Sequence, residues 1–216
     1  MKKKIIACKV LKDEIEAVAK EELDCQFLDY ELHNTPENLT EQLQQAIDES
    51  GDYALLLIGY GKCSNGTIGI NSREYNLVIP RVEDCIGVFL GSNLAYHQAF
   101  HEEPGTYYLT KGWIESGSDP YREYQEYVEK YGKEQGEWLF NECYKNYSKL
   151  ALIDTGAYEI EEYRSYTQKA AKFCDFKYQE LEGTLKLIDE LVNSDGQWDE
   201  KFITVGSNTE ITAEMF

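Results

Sequence analysis

The chain has 216 residues, 42% of them hydrophobic and 28% charged, enough to bury a core within one domain. Its 40 acidic and 21 basic side chains leave a formal charge of −19, a balance that argues against nucleic acid and anionic membrane as partners, because phosphate binding runs on Lys and Arg. No apolar stretch is long enough to span a bilayer, the early run Ile5-Ile6-Ala7-Cys8 is too short for a signal peptide, and four prolines argue against a long disordered linker.

In chain order, Ile5-Ile6-Ala7 reads as a short buried strand ending at Cys8. An amphipathic helix follows over residues 12–22, with Ile15, Val18, Ala19 and Leu23 on one face. Residues 25–32 read as a second strand, ended by the turn residues His33-Asn34-Thr35-Pro36. A second helix covers 39–49 with Leu39, Leu43, Ala46 and Ile47 on its apolar face, and residues 53–58 form a third strand. That strand runs into the glycine-rich loop Gly59-Tyr60-Gly61-Lys62-Cys63-Ser64-Asn65-Gly66. Residues 75–79 make a fourth strand. Asp84 and Ser92 then read as caps of helices over 85–90 and 93–101. A short strand at 106–109 precedes a loop, Thr110-Lys111-Gly112-Trp113.

Asp119-Pro120 has the order expected at a helix start, and the Tyr- and Glu-rich segment to Tyr147 is helical in period. Residues 149–154 form a strand, 159–192 are mostly helix with a break near Cys174-Asp175, and 201–205 form a last strand. Alternating strands and helices predict a Rossmann-like α/β fold, a mainly parallel sheet sandwiched by helices with a helix-rich second half. The expected organisation is one α/β domain over 1–216 with a subdomain break near 118.

In open parallel sheets, ligand sites lie beyond the carboxyl ends of the strands. By this reading the first strand ends at Cys8, the second at His33 and the third at Cys63, while the fourth leads to Cys85. In a cytoplasmic protein, the expected location, six cysteines favour metal or catalytic use over disulfides. Three thiols and an imidazole make a full tetrahedral zinc set, and three thiols also suit an iron–sulfur cluster with one open iron. A helix start at Cys85 and Lys62 beside Cys63 would favour thiolate.

The plainer reading of any single cysteine is core packing, and no short Cys-x-x-Cys pair strengthens the zinc assignment. Gly59, Tyr60, Gly61 and Gly66 could cradle a cofactor, against the plainer reading of glycine supplying positive φ in a turn. Trp113 is a candidate pocket wall or a cover for the core. Asp84, Lys62 and Lys111 are the acid–base or substrate-positioning candidates, Asp84 equally a helix cap. His97 and His101, four apart without a Glu after the first, read as a surface pair. Cys25, Cys143 and Cys174 are expected in the core, and Tyr121, Tyr124, Tyr127, Tyr131 and Tyr144 in helix packing.

Ile6-Ala7-Cys8, Leu32-His33 with Pro36, Gly59-Tyr60-Gly61-Lys62-Cys63, Asp84-Cys85-Ile86 with Leu90-Gly91-Ser92, and Thr110-Lys111-Gly112-Trp113-Ile114 together resemble the family catalogued as domain of unknown function 1638. The resemblance implies an anaerobic setting near corrinoid-dependent methyltransferases and supplies no mechanism. Taken with the strand-end residues, it gives the expectation of a metalloenzyme of methyl transfer or other corrinoid chemistry. The alternatives are an accessory protein that binds a metal, a corrinoid protein or a partner methyltransferase, and, least favoured, a metal-free enzyme with Cys85 as nucleophile. A small-molecule substrate and an oligomer are compatible with each.

Overall fold

A computed structural model of the protein describes residues 2–20 and 23–216; the side chain of His33 also lies outside what it describes. The elements run β1 (Lys3–Cys8), α1 (Lys12–Val18), β2 (Asp24–Leu28), α2 (Pro36–Asp48), β3 (Leu55–Gly59), β4 (Asn76–Pro80), α3 (Cys85–Phe89) and α4 (Asn93–Glu102). They continue with β5 (Thr106–Leu109), α5 (Lys111–Ser116), α6 (Pro120–Tyr131), α7 (Lys133–Tyr144), β6 (Lys149–Asp154), α8 (Glu161–Cys174), β7 (Lys177–Glu182), α9 (Lys186–Asn193) and β8 (Phe202–Val205). The fold is α/β and Rossmann-like, and its mostly parallel sheet is flanked by helices.

Two compact units share the chain. One takes residues up to Tyr96 together with Thr184–Phe216, and the other takes His97–Gly183. Residue 118 lies inside the second unit.

The first unit holds a five-stranded sheet of order β2-β1-β3-β4-β8, parallel except for β8. Its central strands are apolar at successive positions: Ile5, Ile6, Leu56, Leu57 and Ile58 are fully buried. Such continuous runs mark strands covered on both faces. α9 buries Leu187, Ile188, Leu191 and Val192 and packs on α1, β3 and β4. The register sets Ala7 of β1 beside Gly59 of β3, and Cys8 beside Leu28 of β2. With β1 to β4 parallel, their four carboxyl ends share one edge.

The second unit has a parallel sheet of order β5-β6-β7. Its core joins Leu109, Ile114, Leu150, Leu152, Ala170 and Ala171, with Trp113 and several tyrosines packed around them. The tyrosine-rich stretch is two helices, broken at Gly132 where φ is 80°. Tyr121 and Tyr124 both set their rings edge-on to Phe173, which is the helix packing expected of them. Tyr131 stays exposed, with Lys130 over its ring.

Several expected boundaries are corrected. The first helix stops at Val18, and Glu22, expected at its end, lies outside the described residues. The second strand stops at Leu28 because Asp29 caps a 3-10 turn over Tyr30–Asn34, accepting the Glu31 N–H at 3.0 Å. Residues 159–192 are mostly helix with the expected break at Cys174-Asp175, but that break leads into a strand, β7, between α8 and α9. The expected loop at 110–113 is mostly the first turn of α5.

Candidate functional site

The loop after β3 is built by close approach. A Cβ at position 59 would lie 2.4 Å from the Ala7 Cβ, one at 61 would lie 2.6 Å from the Val82 carbonyl oxygen, and one at 66 would lie 2.6 Å from Leu39 Cδ2. None of the three glycines has positive φ, so the turn reading of them is corrected. The left-handed positions fall instead on Cys63, Ser64 and Asn65, at φ 48°, 55° and 72°. Each costs roughly 1–2 kcal/mol for an L-residue, and such strain persists only where its surroundings over-determine it.

They do so here. The Lys62 N–H donates to Val82 O at 2.9 Å and the Cys63 N–H to Glu83 O at 2.7 Å. Gly66 N donates back to Cys63 O at 2.9 Å, and the buried Thr67 hydroxyl donates to Gly61 O at 3.1 Å. Cys63 is thereby held against the segment that leads to α3.

Cys8, the last residue of β1, is buried. The residue after Gly59 on the neighbouring strand is Tyr60, also buried, so the register seats the Cys8 thiol beside the Tyr60 phenol. Burial pushes the Cys8 thiol up to about 11; the Val10 backbone pulls the other way, and the Asp29 carboxylate adds to the rise. Burial likewise pushes Cys63 up to about 12, opposed by the Gly61 backbone and reinforced by Cys8 and Asp84. Cys63 keeps partial exposure as a residue, but its thiol is enclosed by protein. Two thiols, a phenol and two carboxylates therefore share one electrostatic neighbourhood. The expected lowering of the Cys63 pKa beside Lys62 is outweighed by that enclosure.

Asp84 caps α3 through Oδ1, which accepts the Ile86 N–H at 2.9 Å. Burial raises its carboxyl above the ordinary range, against the pull of the Ile86 and Gly87 N–H groups and the Tyr96 hydroxyl. Cys85 opens α3 and is half-buried. His33 is not at a strand end: its backbone sits in the 3-10 turn five residues past Leu28. Among the described residues no group of three or more His, Cys, Asp or Glu side chains is placed to hold a metal. The thiols of Cys8 and Cys63 are close enough to act on each other's charge, and the buried Tyr60 hydroxyl faces the Cys8 sulfur.

The remaining candidates lie elsewhere. Lys111 and Trp113 belong to the second unit, where Trp113 packs on the core and so has the covering role. The Lys111 N–H donates to the Tyr158 hydroxyl at 2.9 Å, with its ammonium over that ring. His97 and His101 ride α4, which has no buried residue. Cys143 is exposed, and Cys25 and Cys174 are half-buried, so none of the three is the core cysteine expected. Sequence reasoning missed Asp29. Its signal was the Asp-Tyr-Glu start of a capped turn, read there as continuing strand.

Neither the curated proteins nor the solved structures contain a match to this chain. A family model described as "Protein of unknown function (DUF1638)" matches residues 27–192, well over half of the chain. The protein belongs to that family.

Proposed function

We propose that this protein binds a soft metal ion, zinc in the first instance, at the carboxyl edge of the five-stranded sheet. Cys8 and Cys63 hold it, Cys85 and His33 complete the set, and the metal site works in methyl-transfer or corrinoid-dependent one-carbon metabolism. One observation carries the reading: strand register and a pinned, strained loop bring Cys8 and Cys63 into one buried neighbourhood. Buried thiols crowded by carboxylates stay protonated on their own, and a divalent cation is what would make thiolate favourable there. When bound, such an ion supplies a Lewis acid that holds and polarises a thiol or a substrate.

The chain's own groups then have separate tasks. Asp84 fixes the start of α3 and with it Cys85. Lys62 is the basic side chain on the loop that carries Cys63 and the candidate for positioning an anionic group. An iron–sulfur cluster on the three cysteines is the other occupant this donor chemistry admits.

A second reading, an accessory protein for a corrinoid protein or partner methyltransferase, draws on a specific observation. Asp29 and Asp84 are each engaged as caps, which leaves neither an evident general base.

Anaerobic purification followed by metal analysis and a visible spectrum tests the site. Colourless protein with stoichiometric zinc supports the first form, and brown protein supports the cluster. Protein without either metal, and indifferent to added zinc, overturns the reading. A methyl-transfer assay with and without a corrinoid protein separates enzyme from accessory: turnover only when a partner methyltransferase is added favours the accessory role.

A further inference from the structure

We propose that the amino edge of the five-stranded sheet carries a second binding site, one for a small phosphate-bearing molecule held by Lys2, Lys3 and Lys20. The inference is independent of the metal reading and concerns the opposite end of the strands. A cavity of about 590 Å³ opens there, lined by these three lysines, by Val192 and Asn193, and by one carboxylate, Asp195. Its volume falls in the range of small-molecule sites, roughly 300–1,000 Å³. α1 packs on α9 beside it, and the Asn193 side chain donates to Val18 O at 2.9 Å, tying the carboxyl ends of the two helices together.

With 40 acidic side chains against 21 basic ones, carboxylate partners are abundant in this chain. Arg73, Lys145, Lys149, Arg164 and Lys201 each lie against one. Lys2, Lys3 and Lys20 form no ion pair among the described residues. Lys2 rests over the Tyr53 ring, 4.3 Å from its centroid, and Lys3 donates to Val192 O. The plainer reading of a lysine here is a cap for the negative end of a helix. Lys3 fills that role for α9 with one of its three N–H groups, and Asn193 serves α1. Lys2 and Lys20 are surplus to it. Three lysines less Asp195 leave the described lining a charge of +2. A phosphate group brings about −1.5 to −2 at neutral pH and three strong acceptor oxygens, a closer match than a single carboxylate. The ligand is small because the chain's charge of −19 opposes an extended polyanion, while screening over about 8 Å shields a local site from the rest of the surface.

Titration calorimetry of the full chain with inorganic pyrophosphate at low salt tests the site. Wild type should bind, and Lys2→Gln combined with Lys20→Gln should weaken binding about 5–30-fold, the size expected where two ion pairs are lost. Both side chains are exposed, so the variant should fold as wild type does. Lys133→Gln combined with Lys145→Gln removes the same charge from the second unit and should leave binding unchanged. In wild type, the amide shifts that pyrophosphate causes should map to Val192, Asn193 and Ser194. Wild type that binds no pyrophosphate, or a pocket variant that binds as tightly as wild type, overturns the site. So does an equal loss in the control pair, which would reduce the effect to net charge, and so do shifts that map elsewhere. None of these results bears on the metal reading, which stands or falls on zinc content.

Discussion

Two substitutions in the loop of Cys63 should shift stability in opposite directions. At Gly61 a methyl group meets the Val82 carbonyl at 2.6 Å and the Asp84 nitrogen at 3.0 Å. Both are backbone atoms that cannot swing aside, so Gly61→Ala should cost about 1–3 kcal/mol. Gly206→Ala, with nothing within 4 Å, is the matched control and should be near neutral. Ser64 sits at φ 55°. Ser64→Gly relieves left-handed strain and loosens the unfolded chain, a net gain of about 0.5–1 kcal/mol. Urea denaturation of the three variants reads both signs. The glycine-rich loop was legible as a break after an apolar strand, and Cys63 as its centre. Which property of glycine it uses was not legible, because close approach depends on which strand and segment lie alongside, and no local pattern carries that.

Among elements, the start of α6 and the pairing of β7 make separate demands. Asp119 is fully buried. Its Oδ1 accepts the Tyr121 and Arg122 N–H groups at 3.0 and 3.2 Å, and its Oδ2 accepts the Tyr166 hydroxyl at 2.8 Å. Losing a cap and the partner of the half-buried Tyr166 phenol should make Asp119→Ala cost about 1–3 kcal/mol in thermal or chemical unfolding, with Asp119→Asn milder. This cap was readable, because Asp-Pro at a helix start is a local signal. β7 was not. Lys, Gln, Glu and Leu in Lys177–Glu182 are helix formers, and tertiary pairing to β6 overrides them.

β7 is also tied to α8 by the fork between Arg164 and Glu180, at 2.7 and 2.8 Å, with Tyr178 also donating to the carboxylate. These donors, Arg164 first, hold the Glu180 carboxyl down at about 2. A depressed acid contributes stability above its unfolded value of about 4.3, and that contribution is lost as pH falls through about 2. Glu180→Gln should therefore cost at most about 1 kcal/mol at neutral pH, since exposed pairs are worth little. Below pH 4 its difference from wild type should shrink, as read by denaturation at several pH values.

For the molecule as a whole, charge and topology were the legible levels. A charge of −19 means self-repulsion in the compact state. The midpoint of thermal unfolding should rise as salt increases from about 0.01 to 0.15 M, where the screening length falls from about 30 to about 8 Å. A midpoint that falls would mean that ion pairs such as Arg164–Glu180 outweigh the repulsion. Alternating strands and helices were enough to read the α/β class. They were not enough to read the division at Tyr96 and Thr184, where the chain leaves one unit and returns to it, because that division depends on which strands pair.

The same distinction runs through the site. Cys8 ends β1 as its sequence suggests, while His33 was misplaced because a capped turn interrupts the strand at Asp29. Among the described residues, no helix is long and apolar enough to cross a membrane. The central claim is a metal held by sulfur from Cys8 and Cys63. X-ray absorption at the zinc edge of anaerobically prepared protein tests it most directly. The account predicts at least two sulfur neighbours at about 2.3 Å, one fewer in Cys63→Ser. A shell of nitrogen and oxygen alone, or protein that holds no metal, would contradict it.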